Sequence, residues 1–365
     1  MMFDALRIFA KMFLVVLVLF TVFLYFLAIV LEPALFYFTP EGLSTSMLHS
    51  SVLQVWVLNM AIDIPIRLEV GVIFFGLWSI FTLSLVAAWK VKESFPQTIK
   101  ESITKPTRKL FNNCLFAMPI INSMTLIAVV ALQSVQEAGG IPTGTSPIQS
   151  DLFVEFLDLS YAAVFEEIGF RLIPIGAILC IYLFVTKKNV ATFSLRQKTK
   201  LFVMSFLFPD KAKRMAGAKT VKEHGIRNGI SLVEWGAIIF TSVIFGLAHF
   251  DPGVSWEIGK VTSAGFAGLV LGLSYVVYGA QASIIMHWFF NVYTDTYILL
   301  SELYPATLPF ANTVTIISVI LGVLGWTIAA ALGFLKLVRT IEKRREKNSQ
   351  NQTTPSPPIF PQQDY

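Results

Sequence analysis

Three short clusters in this sequence carry side chains that can hold water and move a proton. Phe165-Glu166-Glu167-Ile168-Gly169-Phe170-Arg171 sets two carboxylates ahead of a guanidinium, Phe245-Gly246-Leu247-Ala248-His249 ends on an imidazole, and His287-Trp288-Phe289-Phe290-Asn291 spaces an imidazole and an amide four residues apart. Each cluster lies in an apolar stretch. A charge near the centre of a membrane helix costs at least ~2.5–3.5 kcal/mol, so each marks a candidate site. Glu167 and Arg171 stand at i and i+4 with the acid on the N-terminal side, the spacing at which they pair and offset each other's burial. Glu166 points about 100° away from that pair and has no local partner. It is suited to take a proton from water and return it to a leaving amine. His249 is suited to orient or deprotonate the same water, and His287 with Asn291 to hold the oxyanion of a tetrahedral intermediate. Glu167 and Arg171 would brace the helix that carries the base.

Taken singly, each cluster has a plainer reading. His249 fits an interfacial side chain at a helix end stopped by Asp251-Pro252-Gly253. His287 and Asn291 fit an interhelical hydrogen-bond pair, with Asp295 one turn further along the same face. Glu155 and Asp158 fit a wet helix end, although Asp158 shares a face with Glu166 across small Ala162. Together the clusters supply a carboxylate, two imidazoles, an amide and an ion pair, a set that can hydrolyse an amide. A membrane transporter or scaffold using the clusters as a proton relay or structural network is the non-enzymatic alternative.

The elements that must position these residues are membrane helices. The chain has 365 residues, 55% hydrophobic and 14% charged, with 32 Phe and 7 Trp. That is more apolar surface than one soluble core of this length buries, which excludes a soluble Rossmann enzyme and a disordered scaffold. Two cysteines, Cys114 and Cys180, in apolar segments exclude a disulfide-rich secreted domain. Runs able to cross ~30 Å of hydrocarbon occur at Phe9–Leu31, Val70–Trp89, Phe111–Leu132, Phe153–Val185, Leu232–His249, Val261–Tyr278, Ser283–Leu300 and Thr313–Leu335. The expected fold is an all-α polytopic bundle of about eight spans, the first retained as an anchor, around an intramembrane catalytic cavity. Pro174 and Gly169 should bend or loosen the fourth span. Ala264, Gly268 and Gly272 recur every fourth residue along the sixth and let neighbours approach.

Basic residues sort by connection. Arg7 and Lys11, six residues in 90–109, eleven in 187–227 and six in 336–347 make up 25 of the 28, and the intervening loops carry only Arg67 and Lys260. The positive-inside rule then puts both termini in the cytoplasm. The net charge of +5 therefore concerns orientation and anionic lipid headgroups, and no nucleic-acid partner is expected. Leu201–Phe208, within the basic connection, fits an interfacial element. The membrane-embedded domain is expected over 1–347, with the motif-bearing core at about 153–300 and a disordered polar tail at 348–365. This orientation sets His249 near the outer end of its span and His287 near the inner end of its own. For the two to meet, the helices must be broken or strongly tilted, or these span boundaries must shift by several residues.

In order and each in an apolar segment, Glu166-Glu167-x-x-x-Arg171, Phe245-x-x-x-His249 and His287-x-x-x-Asn291 resemble the motifs of the CAAX proteases and bacteriocin-processing enzymes, which include the Ras-converting CAAX endopeptidases. The resemblance covers about Phe153–Leu300. It implies an intramembrane endopeptidase with Glu166 as general base, His249 as its partner on water, and His287 with Asn291 as the oxyanion site; Glu167, Arg171 and Phe245 support them. It also implies a peptide or lipidated-protein substrate, prenylated in the Ras-converting branch, and no cofactor. The competing hydrolase is a zinc protease with His249 and His287 as ligands. It lacks a His-Glu-x-x-His helix and leaves the base unassigned unless Glu166 and Glu167 divide the roles.

Overall fold

A computed structural model describes residues 2–50, 52–90, 93–145, 151–253 and 255–353. The long helices are α1 (Met2–Phe38), α2 (Val70–Lys90), α3 (Cys114–Ala138), α4 (Leu152–Glu167), α5 (Ile173–Thr186), α6 (Leu195–Leu207), α7 (Pro209–Met215), α8 (Val221–Gly229), α9 (Leu232–Ala248), α10 (Ile258–Tyr278), α11 (Ala280–Trp288), α12 (Thr294–Leu303) and α13 (Leu308–Thr353). The only strands among the described residues, β1 (Leu53–Val57) and β2 (Met60–Ile64), pair antiparallel between α1 and α2. The protein is an all-α integral membrane bundle.

Among the described residues, six helices are long and apolar enough to cross a membrane: Ile8–Phe38, Val70–Lys90, Cys114–Ala138, Leu152–Thr186, Ile258–Tyr278 and Pro305–Glu342. The bent pair α8–α9, with 67° between its halves, makes a seventh if it is one span. The expected count of eight is not reached. The segment expected as the seventh crossing, Ser283–Leu300, is helical throughout but divided by a π-helical turn at Phe289–Tyr293, and it carries His287, Asn291 and Asp295. The fourth segment is divided in the same way at Ile168–Leu172, immediately before Pro174. The two imidazoles meet at the Phe245 ring, His249 from the end of α9 and His287 from the divided segment.

Local signals end these helices where the bundle needs them ended. Asp151 accepts from Phe153 N and Val154 N to start α4, and Ser231 with Glu234 forms a capping box on α9. At Gly279, φ is +109°, and the turn between α10 and α11 is one residue long. Small residues seat α9 on α10 as expected. A Cβ on Gly246 would lie 2.4 Å from Val261 O, and one on Gly268 would lie 3.0 Å from Phe245 Cδ1. Cys114 and Cys180 are buried and form no disulfide. Backbone helix continues past Lys347 to Thr353; the rest of the tail, 354–365, lies outside the described residues.

The basic connection is more than an interfacial strip. Leu201 and Ser205 of α6 are buried against α5, and Tyr275 Oη donates to Ser205 O and Phe206 O at 3.1 and 2.7 Å. One of its lysines, Lys213, is 1% exposed and donates to Glu234 Oε1 at 2.8 Å and Gly229 O at 2.7 Å. Asp210 sits 3.8 Å from Lys213 and accepts from Val221 N and Lys222 N. The charges are consumed internally, fastening α7 and α8 to the first turn of α9.

Candidate active site

The expected ion pair forms in full burial. Arg171 Nη1 lies 3.0 Å from Glu167 Oε1, with side-chain exposures of 1% and 0%. Arg171 also lies 4.1 Å from the centre of the Phe245 ring, which gives Phe245 a physical role. Its ring caps the guanidinium, lies 4.6 Å from the His249 ring and meets the His287 ring edge-on at 6.0 Å. Gly268 leaves the space in which Phe245 and Arg171 stack.

His287 bridges the two glutamates. Its Nδ1 lies 2.8 Å from Glu167 Oε1 and its Nε2 lies 3.5 Å from Glu166 Oε2. Because Arg171 is always charged, its bonded partner Glu167 is a carboxylate, which only accepts; Nδ1 of His287 must therefore carry the proton. Nε2 then holds a lone pair in the neutral ring and donates only as imidazolium. The same logic applies to His249. Its Nδ1 is 2.8 Å from Phe245 O, a carbonyl that can only accept, so Nε2 remains as the basic atom of the neutral ring.

A cavity of about 480 Å³ runs along α4 from Glu155 past Asp158 and Ala162 to Glu166, with His249 and Asn291 on the facing walls. His287, expected beside Asn291 on one helix face, is not among the lining residues; the π-helical turn begins between them and changes their relative direction. Asn291 faces the cavity and reaches Leu159 O only at 3.5 Å, while His287 lies behind Glu166 at 5% exposure. Asp295 lines a separate hollow of about 130 Å³ with Glu155 and Glu302. Among the described residues, no group of three or more His, Cys, Asp or Glu is placed to hold a metal ion.

Two contributors went unread in the sequence. The β1–β2 hairpin lays its tip on the π-helical turn of α4, where Leu58 N meets Gly169 O at 3.4 Å, and Trp56 and Asn59 line the cavity. A Cβ on Gly169 would stand 1.9 Å from Trp56 O, so close approach requires glycine at this point of the π-helical turn. The readable signal was alternation of apolar residues on both sides of Leu58-Asn59, both of which take positive φ in the turn. Glu32, one residue beyond the first apolar run, is fully buried and accepts from Trp288 Nε1 at 2.8 Å. That bond ties α1 to the residue next to His287.

No curated protein and no solved structure matches the chain. Residues 149–293 match the family model described as Rce1-like, type II CAAX prenyl endopeptidase. All three motifs lie inside that match and their side chains gather around one cavity, so the segment 149–293 is similar to the Rce1-like type II CAAX prenyl endopeptidases.

Proposed function

We propose that the chain is an intramembrane endopeptidase in which Glu166 and His249 activate a water held in the cavity. The observation that carries this reading is the convergence of Glu166, His249 and Asn291 on one cavity, with His287 Nε2 3.5 Å behind Glu166. Water bound between Glu166 and His249 Nε2 attacks the scissile carbonyl carbon as one of its protons passes to the Glu166 carboxylate. Negative charge develops on the former carbonyl oxygen. The Asn291 amide donates to it from the wall, while His287, behind Glu166, holds that carboxylate in position. Collapse of the intermediate breaks the carbon–nitrogen bond, and the proton on Glu166 goes to the leaving amine. Glu167 and Arg171 keep His287 in its tautomer and the π-helical turn in place.

The likeness to CAAX prenyl endopeptidases supports substrates of the CAAX class, and we read the scissile bond as lying in a membrane-associated peptide. Hydrolysis is metal-independent in this proposal, which draws on the described residues placing no group of three or more His, Cys, Asp or Glu to hold a metal ion. Cleavage of prenylated and unprenylated peptides by the purified protein tests it. Activity that persists in chelators and is lost in Glu166→Gln agrees with the proposal. Loss on chelation with recovery on added zinc, or full activity in Glu166→Gln, overturns it.

A further inference from the structure

Glu32 lies in α1, well ahead of the segment 149–293, and the proposed mechanism leaves it unused. Its side chain is fully buried. One carboxyl oxygen, Oε1, accepts from Trp288 Nε1 at 2.8 Å, and the other, Oε2, is buried with no hydrogen-bond partner among the described residues. An acid in a membrane helix that is met at only one of its oxygens is costly to keep, which makes it a candidate for function rather than packing. A buried indole N–H needs an acceptor, and among the apolar side chains around Trp288 this carboxyl supplies it.

The bond fixes the rotation of a short helix. α11 has nine residues, set between the turn at Gly279 and the π-helical turn at Phe289–Tyr293. Successive residues of a helix point about 100° apart, so an indole fastened to α1 sends the preceding side chain, His287, toward α4, where it meets Glu167 and Glu166. α1 grips the far side of the π-helical turn as well. The Tyr25 ring packs edge-on against Trp288 at 5.3 Å and against Tyr293 at 4.8 Å, and Tyr297 Oη donates to Leu24 O at 2.6 Å. Ring contacts tolerate some rolling of the helix, whereas a hydrogen bond weakens steeply once its angle is lost. We infer that Glu32 is a positioning residue for the proposed hydrolysis, acting through Trp288 to hold His287 behind Glu166 and Asn291 toward the cavity. The inference rests on the peptidase reading for its effect on rate, though not for its effect on the direction of Asn291.

Cleavage kinetics and thiol labelling test it together on the purified full chain. Glu32→Leu leaves Trp288 Nε1 without its acceptor and should lower kcat about 10–100-fold with KM little changed, since a misplacement of ~1 Å at a reacting group costs on that order. Glu32→Gln keeps an acceptor for the indole and should restore kcat close to the parent value. Trp288→Phe should reproduce the loss, and combining it with Glu32→Leu should add nothing further. A purely structural role would lower the unfolding temperature and leave kcat per folded molecule unchanged; that result, or equal damage from Leu and Gln, overturns the inference. If Glu32→Leu does not fold, Trp288→Phe carries the same test, and an unchanged kcat in it overturns the inference. The second readout needs no cleavage. A small thiol reagent should modify Asn291→Cys several-fold more slowly when Glu32→Leu is added than with Glu32 intact or with Glu32→Gln, the two native cysteines being buried. Equal rates in all three overturn the inference. Absence of Glu166-dependent cleavage in the parent chain counts against the peptidase reading, and the labelling rates then decide the role of Glu32.

Discussion

Two buried charge clusters hold this bundle together, and they are built differently. Around Lys213, every charged group is met: the ammonium by Glu234 and Gly229 O, Asp210 by two backbone N–H groups, and Glu234 also by Ser231. Around Glu166, polar capacity is left over. Glu166 Oε2 and Arg171 Nη2 are buried without a hydrogen bond, and beside them lies a cavity large enough for water and a peptide. A closed network rigidifies, whereas an open one next to a cavity is placed to work on something that enters. The contrast separates the residue that fastens the fold from those that face the reaction, although both sets are buried acids and bases.

The contrast can be broken in four ways. Glu166→Gln should lower peptide cleavage by about 10²–10⁴-fold, the usual contribution of a general acid–base group, while thermal unfolding in detergent is unchanged; a large fall in unfolding temperature would make Glu166 a fastening residue instead. Lys213→Met should do the converse. It strands Glu234 and Asp210 without their cation and should cost about 3–5 kcal/mol of stability, read as a lower unfolding temperature, with cleavage per folded molecule retained. Gly169→Ala pushes a methyl into Trp56 O and should cost about 1–3 kcal/mol. Its sharper signature is faster proteolysis of the displaced hairpin and a raised KM. The smallest effect is electrostatic. Peptides flanked by Lys should be cleaved with a few-fold higher kcat/KM than those flanked by Glu at low salt, and the preference should shrink as ionic strength rises.

Much of this was legible before the structure. The i, i+4 pair of Glu167 and Arg171, the stripe of Ala264, Gly268 and Gly272, and the three motifs all lie within single helices, where residue spacing converts directly to position on a face. The hairpin was overlooked because its five-residue strands are short beside the long apolar runs around them. Glu32 was overlooked because it sits one residue beyond such a run. The count of eight spans is not confirmed: residues 283–300 are not among the helices long and apolar enough to cross, and α9 counts only together with α8.

Sequence alone determined that the chain lives in a bilayer, which residue types able to do chemistry lie there, and that Glu167 is set to pair with Arg171 while Glu166 is not. Those conclusions follow from the cost of burying charge in hydrocarbon and from helical periodicity, both of which act within one segment. Only the tertiary structure decided that His287 stands between both glutamates while Asn291 faces the cavity, that Phe245 covers Arg171, and that the hairpin closes on Gly169. Each of these depends on how far elements separated by tens to more than a hundred residues rotate and approach. Periodicity names the face a side chain shares, but packing chooses what that face meets.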